Sequence, residues 1–246
     1  MSRVKLENVA LEYPVFDASS RSLKSTLIGG VGGSYSSRNQ TVYINALTDI
    51  NLDLRNGDRM ALIGDNGAGK STLLKVLAGV LHPQKGSVKI EGIRSSLTDV
   101  TMGMDLDSTG RENIILRAVF LGLKTSEAKK FTEDIANFTE LGGYLDLPLR
   151  VYSTGMLLRL GFAVSTIVRP EVLILDEMLS AGDQKFATKS EERLKSYMEN
   201  LEILILASHN PNILRQHCNK AIVMRSGRIV FEGNLEDGIH FHEASM

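Results

Sequence analysis

The sequence has no tryptophan and a single cysteine, Cys218, which rules out a disulfide framework and makes a reducing compartment the simpler setting. It also lacks any stretch near the roughly 18 consecutive apolar residues of a membrane-spanning helix. The longest apolar runs, Val172 to Leu175 and Ile203 to Ala207, are short and rich in β-branched residues, as buried parallel strands are. The first residues, Met1 to Val9, hold no apolar core of signal-peptide length. Nor is there an excess of one charge. The 28 basic and 29 acidic residues leave a formal charge of −1, so the electrostatic footprint of a nucleic-acid binder is absent.

What is present is 246 residues, 43% apolar and 23% charged, an ordinary globular composition long enough for one large α/β domain or two small ones. A chain of this size buries about three-quarters of the surface its unfolded form exposes, so no covalent or metal staple is required. Val4 to Tyr13 alternates and reads as an edge strand or a hairpin arm. The Ser- and Gly-rich stretch from Pro14 to Tyr43 reads either as a flexible hairpin loop or as a short amphipathic helix over Ser19 to Ile28. Strand signals follow over Ala46 to Leu54 and Arg59 to Gly64, then a helix from Lys70 to Ala78 ended by Gly79, then a strand over Val88 to Glu91. From Thr109 to about Val168 the periodicity is helical, with Phe131, Ile135, Phe138 and Leu141 on one stripe. Strands return over Val172 to Asp176 and Ile203 to Ser208, and a closing hairpin turns at Ser226-Gly227. The order is a nucleotide-binding α/β core, an inserted helical part, then more core.

The segment Gly64-Asp65-Asn66-Gly67-Ala68-Gly69-Lys70-Ser71-Thr72 fits the phosphate-binding P-loop, between a strand and a helix as that motif requires. Its glycines let backbone N–H groups converge on phosphate oxygens, and the helix N-terminus adds a favourable dipole. Lys70 is placed to reach the β- and γ-phosphates of a nucleotide, and the Ser71 hydroxyl to ligate Mg²⁺. The apolar strand Val172 to Leu175 runs into Asp176-Glu177, at the carboxyl edge where ligands bind in parallel sheets. Asp176 would hold Mg²⁺ and Glu177 would polarise the water that attacks the γ-phosphate. Ser153-Thr154-Gly155-Met156 opens a further helix and, alone, is a plain N-cap. His209, after another apolar strand, is by itself an ordinary strand-end histidine.

Taken in order, P-loop, Ser153-Thr154-Gly155-Met156, Asp176-Glu177 and His209 resemble an ABC-transporter nucleotide-binding domain over essentially the whole chain. The resemblance implies a P-loop ABC ATPase fold: a RecA-like α/β core over 1–92 and 169–246, an N-terminal antiparallel β subdomain, and an α-helical subdomain inserted over about 93–168. It implies ATP and Mg²⁺ as cofactors and makes Ser153-Thr154-Gly155 a variant of the signature usually written Leu-Ser-Gly-Gly-Gln. It gives His209 a contact with the γ-phosphate and Asp183, in Ser180-Ala181-Gly182-Asp183, a place across a dimer interface. An aromatic residue ahead of the P-loop stacks on adenine in this family; Tyr13 is the first choice and Tyr43 the alternative. The site set is therefore Tyr13, Gly64, Asn66, Gly67, Gly69, Lys70, Ser71, Thr72, Ser153, Gly155, Asp176, Glu177, Asp183 and His209.

The finer resemblance is to ATPase subunits of bacterial polysaccharide exporters, above all those for lipid-linked O-antigen, with capsule and teichoic acid exporters as the alternative and a soluble non-transport ABC ATPase behind them. It rests on Thr109-Gly110-Arg111-Glu112-Asn113-Ile114, on Tyr152-Ser153-Thr154-Gly155-Met156 with Arg159-Leu160-Gly161-Phe162-Ala163-Val164, and on Asp176-Glu177-Met178-Leu179-Ser180-Ala181-Gly182-Asp183 with Phe186 and Lys189. A homodimer at the cytoplasmic face of the bacterial inner membrane is implied, joined to an integral-membrane permease that alone meets the polysaccharide. Two departures stand out. No Gln occurs between Lys85 and Asp183, where the family links γ-phosphate and Mg²⁺ to the membrane subunit; Asp99 or Thr101 falls near that place. And the few residues after Gly233 leave no room for the carbohydrate-binding domain that some such subunits carry, so this chain is not expected to read the sugar itself.

Overall fold

In a computed structural model describing residues 1–15, 34–38, 41–176, 184–198 and 201–245, the alternation at the start of the chain becomes strand β1 (Arg3–Val15). Its core residues Val4, Leu6, Val9 and Leu11 break step once, between Leu6 and Val9, where the register shifts and Asn8 takes a φ of 51°. The paired strand answers with Asp49 at φ 53°, and the Asn8 amide donates to the Asn51 side chain at 2.8 Å. Such a bulge keeps both apolar sets on the core face. After β2 (Ser34–Arg38) and β3 (Thr41–Arg55) come β4 (Arg59–Ile63), α1 (Lys70–Ala78) and β5 (Lys85–Glu91). The first sheet has the order β2-β3-β1-β5, antiparallel between each neighbouring pair. β1 is thus an inner strand and not an edge strand, flanked by β3 and β5, while the hairpin is formed by β2 and β3. The Ser19 to Ile28 segment lies outside the described residues.

The chain then passes through β6 (Arg94–Ser96) into helices α2 (Gly110–Phe120), α3 (Thr125–Ala128), α4 (Thr132–Thr139) and α5 (Thr154–Ser165). It returns through β7 (Val172–Asp176), α6 (Gln184–Met198), β8 (Ile203–Ala207), α7 (Pro211–His217), β9 (Lys220–Arg225), β10 (Arg228–Asn234) and α8 (Leu235–Glu243). By contact density the chain divides into one unit of Met1–Arg94, Ile174–Glu177 and Glu202–Met246, and another of Ser95–Leu173 and Met178–Leu201.

The first unit holds the antiparallel sheet and a second sheet in which β10-β9-β4-β8 are neighbours, together with the last residues of β7 from Ile174. β4 runs parallel to both β8 and β9, so the loops after β4 and β8 leave from the same edge. Met60, Ala61 and Leu62 of β4 are fully buried, as a strand covered on both faces must be. α8 fills the stretch that sequence patterning leaves without an element. Its start carries a legible signal, since Asn234 caps the Asp237 amide at 2.9 Å with Glu236 and Asp237 in the first turn.

The second unit has its own core. Of the expected stripe, Ile135, Phe138 and Leu141 are buried while Phe131 is half-buried. Phe138 meets Phe186 edge-on, ring centroids 5.5 Å apart, and Phe162 at 6.1 Å.

Candidate active site

The loop between β4 and α1 is shaped by what surrounds it. A Cβ on Gly64 (φ 150°) would lie 2.4 Å from the Met224 carbonyl oxygen, and one on Gly69 (φ 102°) 2.8 Å from that of Ala46. Both positions therefore demand glycine on steric and conformational grounds. The turn between β9 and β10 braces the loop: the Gly227 amide donates to the Ala68 carbonyl at 2.9 Å, and the Thr48 amide to the Gly227 carbonyl at 2.8 Å. Ser226 (φ 47°) and Gly227 (φ 76°) form the left-handed turn that makes this approach possible.

α1 begins without a side-chain cap and with no acidic residue in its first turn. Its first residue, Lys70, is only 9% exposed, and its Nζ donates to the carbonyls of Gly64 at 2.6 Å and Asp65 at 3.0 Å. The loop thus folds around its own cation. A buried ammonium held by carbonyl dipoles beside an uncapped helix start is a site for an anion.

The cavity in front of it measures 490 Å³. Asn66, Gly67, Gly69, Lys70, Ser71 and Thr72 line one side. Asp176 from the end of β7 and Ser208 with His209 after β8 line another. Tyr13, Ile44 and Ala46 from the antiparallel sheet form a third wall, where a flat base can lie. Tyr43 is not among the described residues of that lining, although it sits one register position from Ile44. The strand β3 wall and the Ser226-Gly227 turn are contributions that sequence reasoning did not assign to the site; the turn residues themselves were the available signal. Ser71 and Asp176 offer two oxygen ligands to a cation. Among the described residues no cluster of three His, Cys, Asp or Glu could hold one. That donor set fits Mg²⁺, which takes one or two protein oxygens and completes its shell with phosphate and water.

The remaining sequence-derived residues lie elsewhere. Ser153 caps α5 in the second unit, its Oγ accepting from the Met156 amide at 3.3 Å, and a Cβ on Gly155 would meet only that Oγ, at 3.9 Å. Asp99 and Thr101 also belong to the second unit; the Asp99 carboxylate accepts from the Thr101 amide at 3.0 Å and hydroxyl at 2.8 Å. Burial works against the Asp99 charge. The Thr101 hydroxyl and amide, with the Arg117 charge and the Met102 amide, outweigh it and hold the pKa below the usual value. Glu177 and Asp183 lie outside the described residues.

Residues 47–180 match the family model described as ABC transporter. The chain belongs to the ABC transporter family. It is 37% identical over 241 residues to the O-antigen export system ATP-binding protein RfbE of Yersinia enterocolitica, covering 96% of this chain and 99% of the relative. A Klebsiella pneumoniae protein, the O-antigen export system ATP-binding protein RfbB, is 35% identical, with 99% and 98% covered. Among solved structures, a dimeric ATP-binding cassette in a post-hydrolysis state bound to ADP and Pi superposes with a TM-score of 0.67 at 20% identity, covering 94% of this chain and 98% of that one. An ABC transporter component from Clostridium perfringens gives 0.58 at 22% identity over 98% and 92%. The fold is that of an ABC ATPase cassette: an antiparallel sheet, a parallel-rich sheet and helices. Among the described residues no helix is long and apolar enough to cross a membrane.

Proposed function

We propose that this chain is the ATP-hydrolysing subunit of an exporter that drives lipid-linked polysaccharide of the O-antigen type across the cytoplasmic membrane. The observation that carries the ATP site is the uncapped helix start at Lys70, opening onto a cavity whose other walls supply Asp176, His209 and Tyr13. The substrate class is supported by relatives aligned over nearly the whole chain that carry the O-antigen export name.

In this reading Lys70 holds the β- and γ-phosphates while the backbone of Gly64, Asn66, Gly67, Gly69 and Thr72 surrounds them. Tyr13 stacks on adenine. Ser71 and Asp176 would hold Mg²⁺, which when bound neutralises phosphate charge. Glu177 takes a proton from the attacking water, and His209 donates toward the γ-phosphate. Ser153 and Gly155 begin a helix that faces the nucleotide of a second copy, with Asp183 crossing the same interface, so two chains close on two ATP molecules. Closure and release then bias a membrane permease between states. That permease docks on the helical unit around Arg111 to Leu123, sits in the inner membrane and alone touches the polysaccharide, with the ATPase peripheral on its cytoplasmic face. Asp99 or Thr101 takes over the link that a Gln makes in relatives of this family.

Glu177→Gln tests the reading, because it keeps shape and removes the base. Turnover should fall about 10²–10⁴-fold, with ATP binding retained and a dimer accumulating on size-exclusion chromatography in ATP and Mg²⁺. A strictly monomeric variant at saturating nucleotide contradicts the two-chain sandwich.

A further inference from the structure

One charged side chain of the second unit has no place in the chemistry above and is nonetheless almost wholly buried. Arg117, on α2, is 2% exposed. Its guanidinium donates to the carbonyls of Met102 and, at 3.3 Å, Asp99. Nε and a terminal nitrogen also donate to the Ser165 hydroxyl, at 3.2 and 2.9 Å, and that hydroxyl donates in turn to the Gly161 carbonyl at 2.7 Å. Burial lowers the Arg117 pKa to about 10 against the opposing pull of Asp99, so it stays charged at neutral pH. A buried charge persists only where such partners exist; the Asp99 carbonyl is shared with the Met102 amide, at 3.4 Å.

The partners are concentrated on one segment. One turn earlier on the same face of α2, Asn113 is fully buried; its amide nitrogen donates to the Asp105 carbonyl at 2.8 Å and its oxygen accepts from the Asp105 amide at 2.8 Å. From the α5 side, a Cβ on Gly161 would lie 2.4 Å from the Val100 carbonyl oxygen, so the backbone of that helix touches the segment directly. Residues 99–105 are thus clamped between α2 and α5, with the Arg117 side chain bonding to both the segment and α5. α2 also leaves Leu116, Val119 and Phe120 exposed, and the Phe120 ring packs against Gly103 of the segment, 3.0 Å from where a Cβ there would lie.

We infer that Arg117 is the positioning residue that ties α2 to the Asp99–Thr101 segment, so that a partner's contact on the outer face of α2 moves that segment. This rests on the reading that the segment couples nucleotide state to a permease. It asks nothing of Arg117 at the nucleotide itself.

The test uses chromosomal Arg117→Met, Arg117→Lys and Asp99→Ala variants, with surface polymer measured in cells and basal ATP turnover and ATP affinity measured on purified protein. Coupling residues act on the linkage and not on the site, so Arg117→Met should lower export about tenfold while basal turnover and affinity stay within about twofold. Hydrogen exchange should quicken at amides 99–105 and not in α1. Arg117→Lys, which keeps charge and a donor, should restore part of the export. Should the Met variant fail to fold, the Lys variant decides: reduced export at unchanged basal turnover supports the inference, and unchanged export overturns it. Basal turnover that falls in parallel with export also overturns it, since that marks a merely structural role. If Asp99→Ala loses export while Arg117→Met keeps it, the Arg117 role fails and the segment's role stands. If both keep export, the segment's role fails and takes the inference with it.

Discussion

Two helix starts in this chain look alike as sequence and behave differently as structure. Ala68-Gly69-Lys70-Ser71-Thr72 opens α1, and Thr109-Gly110-Arg111-Glu112-Asn113 opens α2; each sets a glycine before a basic residue. At α2 the Thr109 amide donates to Glu112 at 2.8 Å, the Thr109 hydroxyl accepts from the Glu112 amide at 3.3 Å, and Arg111 turns outward to Asp146 and Glu133. That end is closed by its own side chains. At α1 the cap is Gly69, no side chain closes it, the first turn has no acid, and Lys70 folds inward. A helix end can serve an anion when nothing in its own sequence already occupies it.

The largest expected effect comes from removing the inward cation. Lys70→Ala should cut ATP turnover by more than about 100-fold, the size seen when one transition-state donor is lost, while the corresponding change at Arg111 leaves basal turnover unaltered. Equal losses at both positions, in a coupled phosphate-release assay, would erase the distinction. Next is Gly69→Ala, where a Cβ cannot avoid the Ala46 carbonyl; nucleotide binding should be lost by calorimetry together with some stability. Tyr13→Ala is smaller, about 1–3 kcal/mol of ATP affinity from lost stacking, and Tyr43→Ala serves as its comparison. If Tyr43→Ala weakens ATP binding and Tyr13→Ala does not, the wall assignment is wrong.

At the closed end the effects belong to folding. Thr109→Ala should lower stability by about 1 kcal/mol in denaturant melts with ATP affinity unchanged. The smallest is a pH effect. The Glu112 carboxylate is held below its usual 4.5 by the Thr109 amide and then the Thr109 hydroxyl. Its contribution is therefore complete above the unfolded value and fades as pH falls through the lowered folded one. Melts of Glu112→Gln against the parent should converge below that window; a gap that persists in acid would separate the cap from the carboxylate.

The same contrast explains what could be read from residues alone. The α1 loop was legible because its chemistry is local: glycines, a lysine and a hydroxyl in consecutive positions between a strand and a helix. Strands β7 and β8 were legible because burial on both faces leaves an unbroken apolar run. The third wall was legible only in Tyr13: Ile44 and Ala46 are ordinary strand residues, and the Ser226-Gly227 pair reads as a turn but joins the loop through backbone bonds, which carry no side-chain signature. β1 was expected as edge or hairpin arm because a weak alternation does not announce what covers its far side. The Arg117 clamp was equally silent, as its acceptors are backbone carbonyls and one serine.

Phosphate is proposed to bind at the open helix start and not at the closed one. Amide chemical-shift mapping of the purified protein, titrated with ATP and Mg²⁺, addresses it directly. The largest shifts should fall over residues 66–72, with Tyr13 and His209 responding and residues 109–113 still. Shifts centred on 109–113, or none over 66–72 at saturating nucleotide, would contradict it.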